Sequence, residues 1–177
     1  PRSRGLGDVY KRQEIDREIN KDTEMHPLVR WQFRGGIDEA DRKAFLFTNI
    51  TDSKGRKYDI PVLVCGLAGN QEIYQLGMRC DLKELKSTWI NAINNPLEPK
   101  IVPEGEAPCH DLIFEGEDLL NGNGLDSIPV PISTPGWDTA PYVSSSHFIT
   151  QDPQTGIQNM GNYRGMVKAP NRLGMNP

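Results

Sequence analysis

The chain has 177 residues, with 20 Lys and Arg against 24 Asp and Glu and 36% hydrophobic residues. A mildly acidic body without a basic run argues against nucleic acid as a partner, and no apolar stretch approaches the roughly 20 residues that span a bilayer as a helix. Cys65, Cys80 and Cys109 share no CxxC spacing, which fits reduced thiols in a cytoplasmic protein better than a disulfide frame or a zinc site.

Residues 1–13 stand apart. Asp8-Val-Tyr-Lys-Arg-Gln13 reads as the translation of a transposase adapter used in sequencing libraries, and no Met precedes it. The leader is therefore expected to be non-native. The chain, which stops in mid-pattern at Asn176-Pro177, is expected to be a gene fragment. Without the leader's four bases and one acid the balance is 16 against 23, a net charge of −7. An α/β domain is expected over 14–105, a proline-rich connector over 106–135 and a strand-rich part over 136–177.

In chain order, Asp22-Thr23-Glu24 resembles a helix start with acid at the positive end of the dipole. Met25, Leu28, Val29, Gln32 and Phe33 recur at helical spacing, Pro27 fits the first turn, and Gly35-Gly36 ends the run. Ala44–Ile50 and Ile60–Cys65 read as strands around the turn Asp52-Ser-Lys-Gly55. Asn70–Met78 is helical. A further helix runs from its cap Asp81 to Asn94, with Leu82, Leu85, Trp89 and Ile93 on one face. Asp111–Phe114 reads as a short strand. Ile128-Pro-Val-Pro-Ile132 is too proline-rich for a central strand and is expected to run extended along an edge. Tyr142–Thr150 and Ile157–Val167 form a β-hairpin across Asp152-Pro-Gln-Thr-Gly156, with a third strand starting after Lys168-Ala-Pro-Asn171.

The densest chemistry lies in Asn159-Met-Gly-Asn-Tyr-Arg164 and Arg172-Leu-Gly-Met175. In a regular strand Asn159, Gly161 and Tyr163 share one face and Met160, Asn162 and Arg164 the other. Convergence of Asn159 and Arg164 on one ligand needs a break in register, for which Gly161 is the natural bulge position. Such a break turns backbone amides toward a phosphate, with Arg164 as a charged fork. On spacing alone, a surface strand with a solvated arginine is the stronger alternative. His147 beside Ser144, Ser145 and Ser146 lacks a G-x-S-x-G elbow, so a hydrolase is not indicated. His26 and His110 have no metal-like spacing, and Glu115, Glu117 and Asp118 read as a solvated turn.

From about Glu14 onward the chain resembles the N-terminal part of a UbiD-family decarboxylase. The resemblance rests on Thr134-Pro-Gly-Trp-Asp-Thr-Ala-Pro-Tyr142, Ile149-Thr-Gln-Asp-Pro-Gln-Thr-Gly156, Asn159–Arg164 and Asn171-Arg-Leu-Gly-Met175, in that order. It implies that an α/β (α+β) domain is followed, from residue 136, by the first strands of an antiparallel split β-barrel of flavin-reductase type, truncated here. It also implies prenylated FMN as cofactor, a divalent metal, commonly Mn2+, and a monovalent cation. The implied activity is reversible non-oxidative (de)carboxylation of an aromatic or α,β-unsaturated acid. Carried over by position, Asn159 ligates the metal, Asn162, Tyr163 and Arg164 line the cofactor, and Arg164 faces the substrate carboxylate. The family often has an apolar residue where Asn162 stands, and His-Trp or Arg-Trp where this chain has Asn176-Pro177. Asn176 is carried over as a cofactor-lining residue and Pro177 is not.

The family's glutamate metal ligand and its proton-donating acid lie beyond residue 177, so the fragment is expected to be inactive. The resemblance further implies a flavin prenyltransferase as cofactor supplier and a homo-oligomer at full length. A non-catalytic UbiD-like scaffold subunit of a carboxylase complex is the alternative. An ordinary FMN-binding split-barrel reductase is disfavoured by the Asn-x-Gly-x-Tyr-Arg pattern.

Overall fold

The computed structural model describes residues 12–66 and 69–175. Among these the first strands are β1 (Arg12–Ile15), β2 (Ile19–Asn20), β3 (Ala44–Phe47), β4 (Ile50–Thr51), β5 (Lys57–Tyr58) and β6 (Val62–Val64). The later strands are β7 (Tyr142–Gln151), β8 (Gln158–Ala169) and β9 (Arg172–Met175). The α-helices are α1 (Met25–Arg34), α2 (Gln71–Met78) and α3 (Leu85–Asn94). The sheet orders are β1-β3-β6, β2-β4-β5 and β7-β8-β9. Two units interleave along the chain. One takes the residues up to Ile15 with Val29–Phe47 and Val62–Ile113. The other takes Asp16–Leu28, Thr48–Pro61 and everything from Phe114 on.

In the first unit β3 pairs in parallel with β1 and antiparallel with β6. Arg12 and Gln13, which the sequence assigns to the leader, stand opposite Ala44 and Phe45. Val29, Ala44, Phe47 and Ile73 are buried. Gln32 is also buried and acts as a surrogate strand. Its Nε2 donates to Lys43 O at 3.0 Å, and its Oε1 accepts from Lys43 N at 2.9 Å. Phe33 instead faces out, with the Arg42 guanidinium 5.0 Å from its ring centre. The helix ends as expected at Gly36, whose φ of 73° is left-handed. Asn70 caps α2 by accepting from Ile73 N at 3.2 Å. Asp81 and Glu84 form a capping box ahead of α3, although the first turn, Leu82–Glu84, is a 3-10 helix. Trp89 and Ile93 of its apolar face are exposed.

In the second unit Ile19, Met25, Ile50 and Tyr58 form the core. Asn20, rather than Asp22, organises the approach to α1. Its Oδ1 accepts from Asp22 N and Thr23 N at 2.9 and 3.3 Å, and its own N–H donates to Glu24 Oε2 at 2.8 Å. The expected strand Ala44–Ile50 is broken into β3 and β4. Asn49 commits its carbonyl to Ile19 N at 3.0 Å and its side-chain amide to Asp16 O at 3.2 Å, so it cannot continue the β3 ladder. The turn Asp52–Gly55 forms as read, with Asp52 Oδ1 accepting from Lys54 N and Arg56 N and Gly55 at φ 82°.

Two further expectations are corrected. Asp111–Phe114 is not a strand: it lies between the 3-10 turns Pro108–His110 and Gly116–Leu119, and Leu112, Ile113 and Phe114 are exposed. Ile128–Ile132 runs without a strand partner.

Candidate functional site

The β7–β8 hairpin owes its turn to Asp152. Its Oδ1 accepts from Gln154 N at 2.7 Å and Thr155 N at 2.9 Å, and Gly156 adopts φ 73°. The Thr155 and Gln154 amides hold this carboxyl below its ordinary value. From Gln151↔Gln158 to Ser146↔Tyr163 the antiparallel register is unbroken, so the bulge expected at Gly161 is absent. Glycine is needed there for another reason: the Tyr163 ring lies where a Cβ of residue 161 would stand. Phe148, directly opposite Gly161, meets that ring edge-on, with centroids 6.1 Å apart.

The register breaks elsewhere. One irregularity lies on β7 between Val143 and Ser146, opposite Arg164. The other lies between Val167 and Ala169 on β8, at Lys168. Both are bulges of the kind that re-aim side chains beside sites.

Alternation along the unbroken segment puts Asn159, Gly161 and Tyr163 on one face of β8 and Met160, Asn162 and Arg164 on the other. The sheet therefore does not bring Asn159 and Arg164 together. Asn159 is exposed opposite Thr150, Asn162 is exposed opposite His147, and Tyr163 is half-buried. Asn176 lies outside the described residues.

Arg164 borders a cavity of about 350 Å³ with Tyr142, Met166, Lys168, Gly174 and Met175. Its guanidinium carbon stands 5.8 Å from the Tyr142 ring centre, and among the described residues it forms no ion pair. Two cations beside an aromatic ring and two thioethers suit a flat anionic ligand. Sequence reasoning passed over Tyr142, Lys168 and Met175. The available signal was weak: Ser144-Ser145-Ser146 interrupts the alternation of β7.

A second cavity in the same unit, about 450 Å³, combines an ionic floor with an apolar wall. Ile128, Val130 and Ile132, at alternate positions of the proline-rich segment, contribute to the wall. On the floor Lys21 is buried, with Nζ 2.6 Å from Asp22 Oδ1 and 5.7 Å from the Tyr58 ring centre. Asp52 accepts from the Tyr58 hydroxyl at 3.1 Å. Burial alone would raise the Asp52 pKa, but the Arg56 and Lys54 amides, Tyr58 and Lys21 together pull it below its ordinary value. Burial, then the Asp52 carboxylate, push the Tyr58 hydroxyl upward.

Among the described residues no group of three His, Cys, Asp or Glu could hold a metal ion, and no helix is long and apolar enough to cross a membrane. Cys65, Cys80 and Cys109 are free thiols. Burial, only partly offset by Gln32, pushes the Cys65 thiol up.

This α/β chain, with its bulged antiparallel sheet and exposed arginine, is similar to known proteins. Residues 100–176 match the family model of the UbiD 3-octaprenyl-4-hydroxybenzoate carboxy-lyase Rift-related domain. The UbiD-class enzyme HmfF of Pelotomaculum thermopropionicum, solved in complex with FMN, is similar at 25% identity and TM-score 0.76, covering 94% of this chain and 34% of that one. An evolved dimeric form of HmfF in complex with prFMN gives 25% identity and TM-score 0.76, covering 94% of this chain and 35% of its own. The apo 3,4-dihydroxybenzoic acid decarboxylase of Enterobacter cloacae matches at 25% identity and TM-score 0.76, over 94% of this chain and 34% of its own. The chain is thus similar to UbiD-class enzymes, with the family-model match confined to residues 100–176, and it spans about a third of the length of these solved relatives.

Proposed function

We propose that the protein of which this chain forms part catalyses reversible non-oxidative (de)carboxylation of an aromatic or α,β-unsaturated acid with prenylated FMN. The observation that carries this reading is Arg164: a guanidinium without an ion-pair partner among the described residues, at a cavity it shares with Lys168, Tyr142 and two methionines. Similarity to UbiD-class structures solved with FMN and prFMN supports the flavin. In this reading β7–β9 open a split β-barrel of flavin-reductase type.

The residues around the cavity fit a flavin. Its flat ring suits the Tyr142 ring and the Met166 and Met175 thioethers, and its negative charge suits Arg164 and Lys168. In this reading Asn162, on the Arg164 face, and Tyr163, through its backbone, would also contact the cofactor, although neither borders the cavity itself. When bound, the modified flavin supplies an electron sink for loss of CO2. Arg164 binds the substrate carboxylate through a bidentate fork and fixes its orientation. The fit to a metal is incomplete. Asn159 offers one hard oxygen ligand on the opposite face of β8, so no step is assigned to a metal here.

That separation of Asn159 from Arg164 favours a second reading, a non-catalytic scaffold subunit. Expression of the complete protein with a flavin prenyltransferase separates the two. The enzyme reading expects a bound modified flavin and CO2 exchange that Arg164→Ala abolishes. A flavin-free protein without exchange favours the scaffold.

A further inference from the structure

We propose that Tyr142 is the positioning residue for Arg164, placed there by the bulge in β7; this rests on reading Arg164 as the carboxylate anchor. Residues directly opposite in an antiparallel pair share a face. Continuing the regular register from Ser146↔Tyr163 would set Tyr142 opposite Val167, on the face of Gly161 and Tyr163. The bulge between Val143 and Ser146 absorbs one residue of β7. Val143 then stands opposite Gly165 and Tyr142 opposite Met166, which transfers the Tyr142 ring to the Arg164 face. Arg164, two residues from Met166, becomes the diagonal neighbour of Tyr142, consistent with the observed 5.8 Å contact.

The chemistry of the partner matters. A carboxylate beside Arg164 would occupy N–H donors of the guanidinium and neutralise its charge. An aromatic ring engages the cation through its π face, leaves the donors free, and restricts a side chain that otherwise samples many rotamers. Arg164 is thus held without being satisfied, the state a carboxylate anchor requires before its ligand arrives.

The test uses the complete protein produced with a flavin prenyltransferase, with benzoate as the carboxylate probe. Tyr142→Leu is expected to weaken benzoate binding about 3- to 30-fold, the range a cation–π contact supports, when the proteins are compared at equal flavin loading. Tyr142→Phe keeps binding within about 2-fold, because the ring and not the hydroxyl carries the effect. Unchanged binding in Tyr142→Leu, or an equal loss in Tyr142→Phe, overturns the proposal. A second readout is independent of the decarboxylase reading: the rate at which phenylglyoxal modifies Arg164, mapped by mass spectrometry. Faster modification in Tyr142→Leu but not in Tyr142→Phe supports the hold of the ring. Equal rates in all three proteins overturn it. If the unmodified protein fails to bind benzoate, the anchor reading of Arg164 fails, and the phenylglyoxal rates alone decide the role of Tyr142.

Discussion

The Tyr163 ring lies across Gly161 on the same face of β8, in the space that a Cβ of residue 161 would need. Glycine within a strand weakens it by entropy and by lost packing, and an aromatic neighbour that covers the gap restores part of that loss. Gly161→Ala is expected to destabilise the sheet by about 1–3 kcal/mol, the cost of forcing the ring out of its seat. In Tyr163→Ala the same glycine substitution should cost far less, because nothing then occupies the space. A double-mutant cycle on thermal midpoints measures the difference; additive effects contradict this account of Gly161.

Asp52 predicts a pH dependence. Its folded pKa is depressed below the ordinary 3.8, with burial outweighed by hydrogen bonds from Arg56 N, Lys54 N and Tyr58 and by the charge of Lys21. A depressed carboxyl pKa contributes stability that is present above the unfolded value and lost as pH falls through the folded one. Asp52→Asn is therefore expected to cost about 1–2 kcal/mol at neutral pH and to flatten the decline in stability below pH 3.8. Urea titrations at pH 7 and pH 3 check both. A parallel pH profile in the variant contradicts the assignment.

The Lys21–Asp22 pair is buried on both sides, with side-chain exposures of 6% and 14%. At such depth a lone charge is far more costly than a pair or a neutral site. Lys21→Met alone should destabilise the protein by about 3–5 kcal/mol by stranding Asp22, whose Oδ2 also accepts from Ser53 N at 3.0 Å. Adding Asp22→Asn should recover a substantial part of the loss. Thermal midpoints of the two variants provide the comparison.

Local chemistry was the part most legible in the sequence. The Asp52–Gly55 and Asp152–Gly156 turns, the Gly36 helix end and the Asp81 cap are each set by neighbouring residues, so their signals lie within five positions. The break at Asn49 depends on Asp16 and Ile19, thirty or more residues earlier, and nothing around Asn49 announces it. The bulge is a similar case. Gly161 carries the sequence signal, but its missing side chain serves Tyr163, while the extra residue sits on the partner strand among Ser144 and Ser145. Register belongs to a pair of strands, so a motif read along one strand identified Arg164 but not Tyr142.

The central claim is most directly tested by CO2 exchange. The complete protein, produced with a flavin prenyltransferase, is incubated with labelled bicarbonate and a panel of aromatic and α,β-unsaturated acids. Incorporation of label into the carboxyl group of one acid is expected, lost in Arg164→Ala while the flavin spectrum is retained. Absence of exchange with every acid, or exchange undiminished by Arg164→Ala, contradicts the account.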